Sequence, residues 1–432
     1  MAERKGIILI DQIKAVLGRL EIGAYRIVES VRESMECFFV KKDLDLKRGT
    51  DLTDYEVTVF RPFEKGGEKM LGSSQVNLHP GMGVEEMARV LKSAYEAAAM
   101  VCNPWYELNQ GQKEEFKPSE SGFAGKSLEE SVRVMVEALF APDILEDVFV
   151  NSAEIFATRT LYRIVNSRGV DVGFEAYHVS GEYVIQCISP QDVETYHQFS
   201  YREPEAEALR GEVEEALATT KARAEAVSAP EAGEYTVLLS GRNVRTLLSY
   251  YLGRSGTGMV YQEYSNYKAG ALVQGEQIQG DPLTINLKAK DPYSFEGIPM
   301  KDRVLMEEGT LKTLHGGSRF AYYLGIEPTG NYSSIHVPVG SRPLEELKEG
   351  KCLHIVSFSD FQMDDFSGHF GGEIRLAFLF EGGKMRPVTG GSVNGSILES
   401  QGRMVFSRER YRNEEYEGPF AVRIEGVKVA GV

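Results

Sequence analysis

What most constrains this 432-residue chain is a change of character at Ser228-Ala229-Pro230-Glu231-Ala232-Gly233. A chain of this length exceeds what one hydrophobic core organises, so at least two domains are expected. The small, turn-forming residues of the segment follow a long charged helical pattern over residues 205–227, opened just after Pro204, and they place the domain cut there. Upstream, helical and strand periodicities alternate. Downstream, glycine is dense and short apolar runs dominate. The expected fold class is α+β: an N-terminal α/β-patterned domain over residues 1–228, then a glycine-rich, strand-dominated C-terminal domain over residues 229–432. A polar stretch over residues 110–125 reads as a linker or exposed loop and marks a sub-boundary in the first domain.

Ile10, Ile13, Leu17 and Leu20 recur at helical spacing until Gly23, which predicts an opening helix. Residues 25–28, 35–40 and 55–60 are rich in β-branched and aromatic side chains and read as strands. Met87, Val90, Leu91, Ala94 and Ala98 share one face of a helix over 82–101, ended by Asn103-Pro104. Ser127 and Glu130 have capping-box spacing ahead of the stripe Leu128, Val132, Met135, Val136 and Leu139. Residues 147–188 turn to β, with corners expected at Asn166-Ser167-Arg168-Gly169 and at Ser180-Gly181. Strands are then predicted at 235–239, 283–287, 303–306, 352–358, 373–381 and 421–429, and helices at 243–252 and 318–323.

The formal charge of −16 opposes a phosphate backbone, and Lys and Arg are scattered rather than gathered in a patch, so direct nucleic-acid binding is not expected. Four cysteines, Cys37, Cys102, Cys187 and Cys352, lie far apart with no C-x-x-C pair, which fits reduced thiols in the cytoplasm. The apolar run 7–10 is cut off by Asp11 and is too short for a signal segment or membrane span.

Helix-borne metal sites use His pairs at i, i+4, whose imidazoles reach one ion. The seven histidines are mutually distant and form no such pair. Cys352 and His354 share one face of a strand, and a half-buried strand explains them better than a two-residue metal site, because free Cys is commonly a core residue. The run from Asp360 through Asp364, Asp365, Ser367 and His369 to Glu373 admits two readings. Its carboxylates and imidazole could hold a hard cation or form an acid/base pair. They equally suit a hairpin whose Asp and Ser side chains cap turns, and that plainer reading is preferred. Ser265-Asn266-Tyr267-Lys268 fits S-x-x-K but has no K-T-G partner. Gly390-Gly391-Ser392-Val393-Asn394 lacks the last glycine of a nucleophile elbow, and Gly81-Met82-Gly83 lacks the third glycine of a dinucleotide loop.

In the second half, residues 303–312, then 321–324, then Gly325-Ile326-Glu327-Pro328-Thr329-Gly330-Asn331 resemble the TldD/PmbA family's segment ending in P-T-G-N. Phe295-Glu296-Gly297 is similar to the tail of its D-x-E-G element, Gly275-Glu276 to its G-E stretch, and residues 360–383 with Arg386-Pro387-Val388-Thr389-Gly390 to its G-x-F/G-G-K/P-V-x-G block. The likeness spans residues 235–432 and, more loosely, 151–173; so many blocks in one linear order are more specific than any single motif. TldD-type members carry H-E-x-x-x-H on the helix after the first strand of this domain, plus a late cysteine, as zinc ligands. Here that helix offers Arg245, Thr246, Leu247, Ser249, Tyr250 and Tyr251, and residues 402–418 contain no Cys. The departures point to the PmbA/TldE side of the family.

The resemblance implies a subunit that is dimeric with itself or with a TldD-like partner and that takes part in cytoplasmic processing of unfolded peptides. Zinc is expected in the TldD-type partner, and no cofactor in this chain. It assigns no catalytic residue. Thr329, Asn331, Asp360, Asp364, Ser367 and His369 are expected near the substrate cavity as peptide-contacting or wall-forming groups, with turn formation as their competing role. Two other functions stay open at this point. One is a hydrolase active on its own through Asp360, Asp364 and His369. The other is a regulator of DNA gyrase, which the family's naming suggests; the −16 charge opposes DNA contact but not contact with a basic protein patch.

Overall fold

A computed structural model describes residues 2–226 and 228–431, with side chains described from Leu9 onward. Val227, where the sequence pattern ends a helix, lies outside them. The first part of the chain runs α1 (Ala2–Arg19), β1 (Tyr25–Val40), β2 (Asp43–Lys65), β3 (Glu68–Leu78), α2 (Val84–Ala98), α3 (Leu128–Phe140), β4 (Val148–Asn166), β5 (Asp171–Cys187), β6 (Val193–Tyr201) and α4 (Ala206–Glu225). Its strands form one antiparallel sheet in the order β3-β2-β1-β4-β5-β6. Alternation along the strands divides the sheet's two faces between different tasks. Odd-numbered positions such as Ile27, Val57, Val59 and Val165 pack under α1 and α2 through Ile13, Leu17 and Leu91. Further along the same face, Ile155, Val179 and Ile185 pack under α3 and α4 through Met135, Leu139, Leu209 and Val213. Even-numbered positions face the rest of the chain, where Val28, Ile164 and Phe174 receive Tyr293.

Ser127 caps α3 as its spacing predicts, its Oγ accepting the Glu130 N–H at 3.1 Å. The corner at Asn166 also forms: Asn166 Oδ1 accepts the N–H of Arg168 at 2.8 Å and of Val170 at 3.1 Å, and Gly169 takes φ +95°. Two expectations differ. Residues 25–28 and 35–40 belong to one strand, because the polar residues between them pair along both edges, with Glu29 opposite Tyr55 and Arg163. Ser180-Gly181 is not a corner but the middle of β5. A Cβ on Gly181 would sit 2.2 Å from the Glu154 carbonyl and 2.7 Å from the Phe199 ring, so glycine serves close approach rather than a turn.

The remainder of the chain runs β7 (Gly233–Ser240), α5 (Arg242–Arg254), α6 (Thr257–Tyr261), β8 (Ile285–Lys288), β9 (Arg303–Glu307), β10 (Thr310–Leu311), α7 (Ser318–Leu324), β11 (Ser334–His336), α8 (Leu344–Leu347), β12 (Cys352–Met363), β13 (His369–Glu381), β14 (Lys384–Val388), β15 (Ser392–Ser396), α9 (Ile397–Ser400), β16 (Val405–Phe406), β17 (Arg410–Arg412), β18 (Tyr416–Pro419) and β19 (Ala421–Ala430). Strands β12, β7, β19, β15 and β13 pair in that order, and β13 pairs back with β12. The ring closes into a small barrel, which removes its free edges. A second sheet, β10-β9-β8-β11-β18-β17, faces it. Helix α5 supplies Leu247, Leu248 and Tyr251 to the core that both share. Because α8 covers the outer side, Cys352 and His354 are buried rather than half-buried, and His354 Nε2 lies 2.9 Å from Ser240 Oγ.

Among the described residues no strand of the first sheet pairs with a strand of the second part, so side chains make the junction. Glu414 lies at its centre. Its Oε1 accepts from Arg202 Nε and Lys290 Nζ, both at 3.2 Å, and its Oε2 accepts from Ser200 and lies 3.1 Å from His178 Nε2. Arg202 also donates to Asp291. Burial alone would raise the Glu414 pKa, but the hydrogen bonds from His178 and Ser200 and the nearby Lys290 charge outweigh it and hold the carboxyl well below the usual range. Its protonation on unfolding is therefore favoured at low pH, and the stability it gives is full above the ordinary Glu value of about 4.3 and lost as pH falls below it. Glu414→Gln should flatten the acid limb of the melting temperature against pH, and Glu414→Ala should lower the melting temperature at neutral pH, because it removes the acceptor that half-buried Arg202 and Lys290 share. Thermal melts of both variants across the acid range check this.

Candidate functional site: a polar cleft between the two domains

The first sheet with α4 and the surface of the second part of the chain enclose a run of cavities joined by shared walls. One of about 350 Å³ lies between α4, the end of β6 and the N-terminus of α5. One of about 500 Å³ adjoins it through Gln198, Glu212, Arg242, Thr246 and Tyr411. Glu414 borders both this cavity and the next, of about 460 Å³. Arg26, Glu296, Gly317 and Asn331 in turn join that one to a fourth, of about 620 Å³.

Helix α5 begins where Gly241 takes φ +60°, a turn that redirects the chain out of β7. One of its faces is core, with Leu247, Tyr250 and Tyr251 buried, and Tyr251 donates its hydroxyl to Gln401 Oε1 at 2.9 Å. The other lines the cleft with Arg242, Arg245 and Thr246. Arg242 reaches across the junction to the Gln198 carbonyl at 2.9 Å. Arg245 donates to the Ser333 carbonyl at 2.8 Å and lies 3.7 Å from Glu415. Ser249 turns back to the Thr246 carbonyl at 2.7 Å. None of these groups is a zinc donor of the imidazole, thiolate or carboxylate kind, and no group of three or more His, Cys, Asp or Glu among the described residues could hold a metal ion. Zinc does not fit this helix.

The residues singled out from the sequence separate. Asp364, Ser367 and His369 come together at the exposed tip between β12 and β13: Ser367 donates to Asp364, and His369 Nδ1 lies 3.0 Å from Ser367 Oγ. Asp364 also accepts the Phe366 N–H at 2.9 Å, so the group closes a turn. Asp360 stands apart, on the wall of the 350 Å³ cavity. Thr329 is buried, its Oγ accepting the Gly316 N–H and donating to the Gly330 carbonyl, each at 3.1 Å. Asn331 lines two of the cavities.

Several carboxyl and imidazole groups are strongly perturbed, and two of them, Glu212 and His197, were not singled out from the sequence. Burial pushes the Glu212 carboxyl up to about 7, against the Tyr201 hydroxyl that it accepts at 2.8 Å and the charge of Arg242. Burial and Arg242 push His197, stacked on Tyr183, down to about 4. Burial and Asp364 push Asp365 up to about 6. For Glu212 a signal existed: it lies beside Leu209, Val213 and Ala216 on the buried stripe of α4.

The fold is α+β, and residues 232–431 match the family described as PmbA/TldA metallopeptidase C-terminal domain. Over that region the chain is similar to the TldD/PmbA family. It is 27% identical to an uncharacterised protein of Methanocaldococcus jannaschii over 55% of this chain and 59% of that one. It is 24% identical to a protein of Methanothermobacter thermautotrophicus named a metalloprotease, over 40% and 42%. The matches thus span about half the length of these relatives. Over the whole fold it is similar to TldE from Thermococcus kodakarensis, at TM-score 0.75 and 18% identity, covering 96% of this chain and 100% of that one. A candidate modulator of a DNA gyrase from Thermotoga maritima is as similar, at 0.75 and 18%, with full coverage of both. Another from Bacteroides thetaiotaomicron gives 0.76 and 16%, covering 98% of each. No helix of the described residues is long and apolar enough to cross a membrane.

Because Glu212 has a folded pKa above its unfolded value, the stability it gives is full below about pH 4.3 and lost as pH rises through about 7. Glu212→Gln keeps a neutral acceptor for Tyr201. It should therefore melt at a higher temperature than the parent at about pH 8 and lose that advantage at about pH 4; parallel melting curves at both values would remove Glu212 from this account.

Proposed function

We propose that the chain is a PmbA/TldE-like subunit of a TldD/TldE-type cytoplasmic metallopeptidase assembly, handling unfolded peptides in the interdomain cleft while a TldD-type partner supplies the zinc. The observation that carries this reading is Arg245. On the helix where TldD-type members are expected to hold zinc, a half-buried guanidinium is pinned by the Ser333 carbonyl and Glu415. A fixed positive charge at that place repels a dication, and a metal-bound water is needed to lower the pKa of the nucleophile. Polar walls with backbone within reach suit extended peptides, which bind through main-chain hydrogen bonds whatever their sequence.

A partner surface is also at hand. The first part of β2, residues 43–54, pairs with β1 but has no strand on its outer side among the described residues, and Leu44, Leu46 and Leu52 are exposed along it. A strand unpaired on its outer edge is a template for pairing with another chain. The similarity to TldE from Thermococcus kodakarensis supports the subunit assignment at the level of fold.

The test is zinc content together with cleavage of an unfolded protein, measured for this chain, for a TldD-type protein, and for the mixture. No stoichiometric zinc and no cleavage by this chain alone, with faster cleavage in the mixture than by the partner alone, is the expected result. Stoichiometric metal with cleavage by the chain alone would overturn the proposal.

A further inference from the structure

The outer edge of β2 is more particular about its neighbour than an open strand need be. Residues 43–54 pair with β1 on one side, and the pairing with β3 starts only at Tyr55, so the vacant stretch has a fixed end. From Asp43 to Gly49 every residue is exposed. Leu46 and Leu52 share one face of the sheet, because side chains alternate along a strand, and both are exposed. Phe38 of β1 faces Leu46, and Phe156 of β4 meets the Phe38 ring edge-on at 5.7 Å. The opposite face is charged. There Asp51 faces Glu33 of β1, a like-charge pair that weakens strand pairing. Arg159 lies 3.7 Å from Glu33, but among the described residues no Lys or Arg forms an ion pair with Asp51. The edge thus lacks an apolar neighbour for its leucines and a cation for Asp51.

A second copy of the same strand brings both. Two copies of one edge pair antiparallel about a two-fold axis perpendicular to the sheet, which keeps facing residues on one face and passes the axis through a residue rather than between two. An axis at Lys47 or Arg48 sets that cation against itself, and Asp51 against Asp43 or Asp45 of the copy. One at Leu46 uses only residues 43–49 and leaves Leu52 uncovered. One at Thr50 sets Leu46 against Asp54 and Leu52 against Arg48. An axis at Gly49 has none of these faults. Leu46 then faces Leu52 of the copy, Lys47 faces Asp51 of the copy, and symmetry repeats each contact. Residues 44–54 pair without opposing like charges, up to the place where β3 begins. Lys47 already gives one hydrogen to Glu129 of α3, and an ammonium has three to give.

We propose that two copies of this chain pair through β2, antiparallel and centred on Gly49, joining their six-stranded sheets into one. The edge is the one offered above to a TldD-type partner, so the two pairings exclude each other, but self-pairing does not rest on the peptide-handling reading.

The test is sedimentation of the full-length chain alone at micromolar concentration, which should give twice the mass of one chain. Asp51→Lys opposes like charges at two symmetric points and should weaken the dimer at least about tenfold. Lys47→Asp combined with Asp51→Lys should restore it, because the exchanged charges face each other again. Should the exchange disturb folding through Glu129, Gly49→Cys tests the register independently. A Cβ at Gly49 meets nothing nearer than the Ser34 carbonyl at 3.5 Å. Residues facing across the axis have Cα atoms roughly 5 Å apart, within disulfide range. Mild oxidation should therefore crosslink Gly49→Cys, and not Thr53→Cys, above the level that exposed Cys102 gives in the parent. A chain monomeric at every concentration, a dimer that Asp51→Lys leaves intact, or the absence of the Gly49→Cys crosslink overturns the proposal. So does a monomer that associates only with a TldD-type protein, which gives the edge to that partner. Sedimentation needs no partner, so a dimer that fails to stimulate cleavage would leave this pairing standing and the peptidase reading lost, and a monomer that stimulates cleavage would do the reverse.

Discussion

The way the two halves of this molecule meet depends first on Glu414. Two parts of the chain that share no strand pairing meet through side chains: at the centre Glu414 collects Arg202, His178 and Ser200 from the first and Lys290 from its own, with Arg242 on the Gln198 carbonyl and Tyr293 on Glu114 to either side. Side-chain junctions of this kind are directional: a buried carboxylate is tolerable only when its lone pairs are met, so the geometry is specified even where the net stabilisation is modest. The apolar part is small by comparison, with Tyr293 set among Val28, Ile164 and Phe174. A junction made largely of polar groups leaves room on either side of the clamp, and the cavities run through Glu414 for that reason.

The separation of faces on the first sheet is the second condition. A six-stranded meander with helices on both faces would have no surface to give the cleft. Here all four helices lie over the odd-numbered positions, and the even-numbered face, with Arg26, Thr58, Tyr162 and Ser200, stays polar enough to line a wet groove. Since register fixes face, a slip of one residue in β1 would exchange Arg26 for Ile27 and put an apolar side chain in the cleft.

Much of this was legible in the sequence and some was not, for local reasons. Helices with a full apolar stripe and a cap, such as the one opened by Ser127, were found within a residue or two. The long strands were broken in the reading wherever a polar run such as Glu29 to Glu33 interrupted the apolar pattern, because pairing on both edges, which holds such a run in a strand, is a property of distant partners. Gly181 was read as a corner because close backbone approach leaves the same mark on a sequence as a turn. Of the site, Asn331 and Asp360 reach the cleft, whereas Asp364, Ser367 and His369 close a turn, the plainer role weighed for them. Glu212 was hinted at only by its place beside the apolar stripe of α4, and Glu414 and Arg26 carried no motif. Their importance comes from what folding places beside them, which spacing along one chain does not encode.

The most consequential element is α5, because it answers to two demands. On one side it must fill the shared core, and Leu247, Leu248, Tyr250 and Tyr251 do so with large side chains, Tyr251 finding Gln401 for its hydroxyl. On the other it meets the cleft, where the packing demand is slight and residue type is set by chemistry. A helix of this design can carry Arg242, Arg245 and Thr246 on its cleft face without opening a void in the core, since the two faces draw on different positions of the 3.6-residue repeat. The cost falls on Arg245, whose Nε is buried without a partner although Ser333 and Glu415 hold the rest of the guanidinium. A neutral side chain would pack there at less cost, so the half-satisfied guanidinium does not serve the stability of the fold.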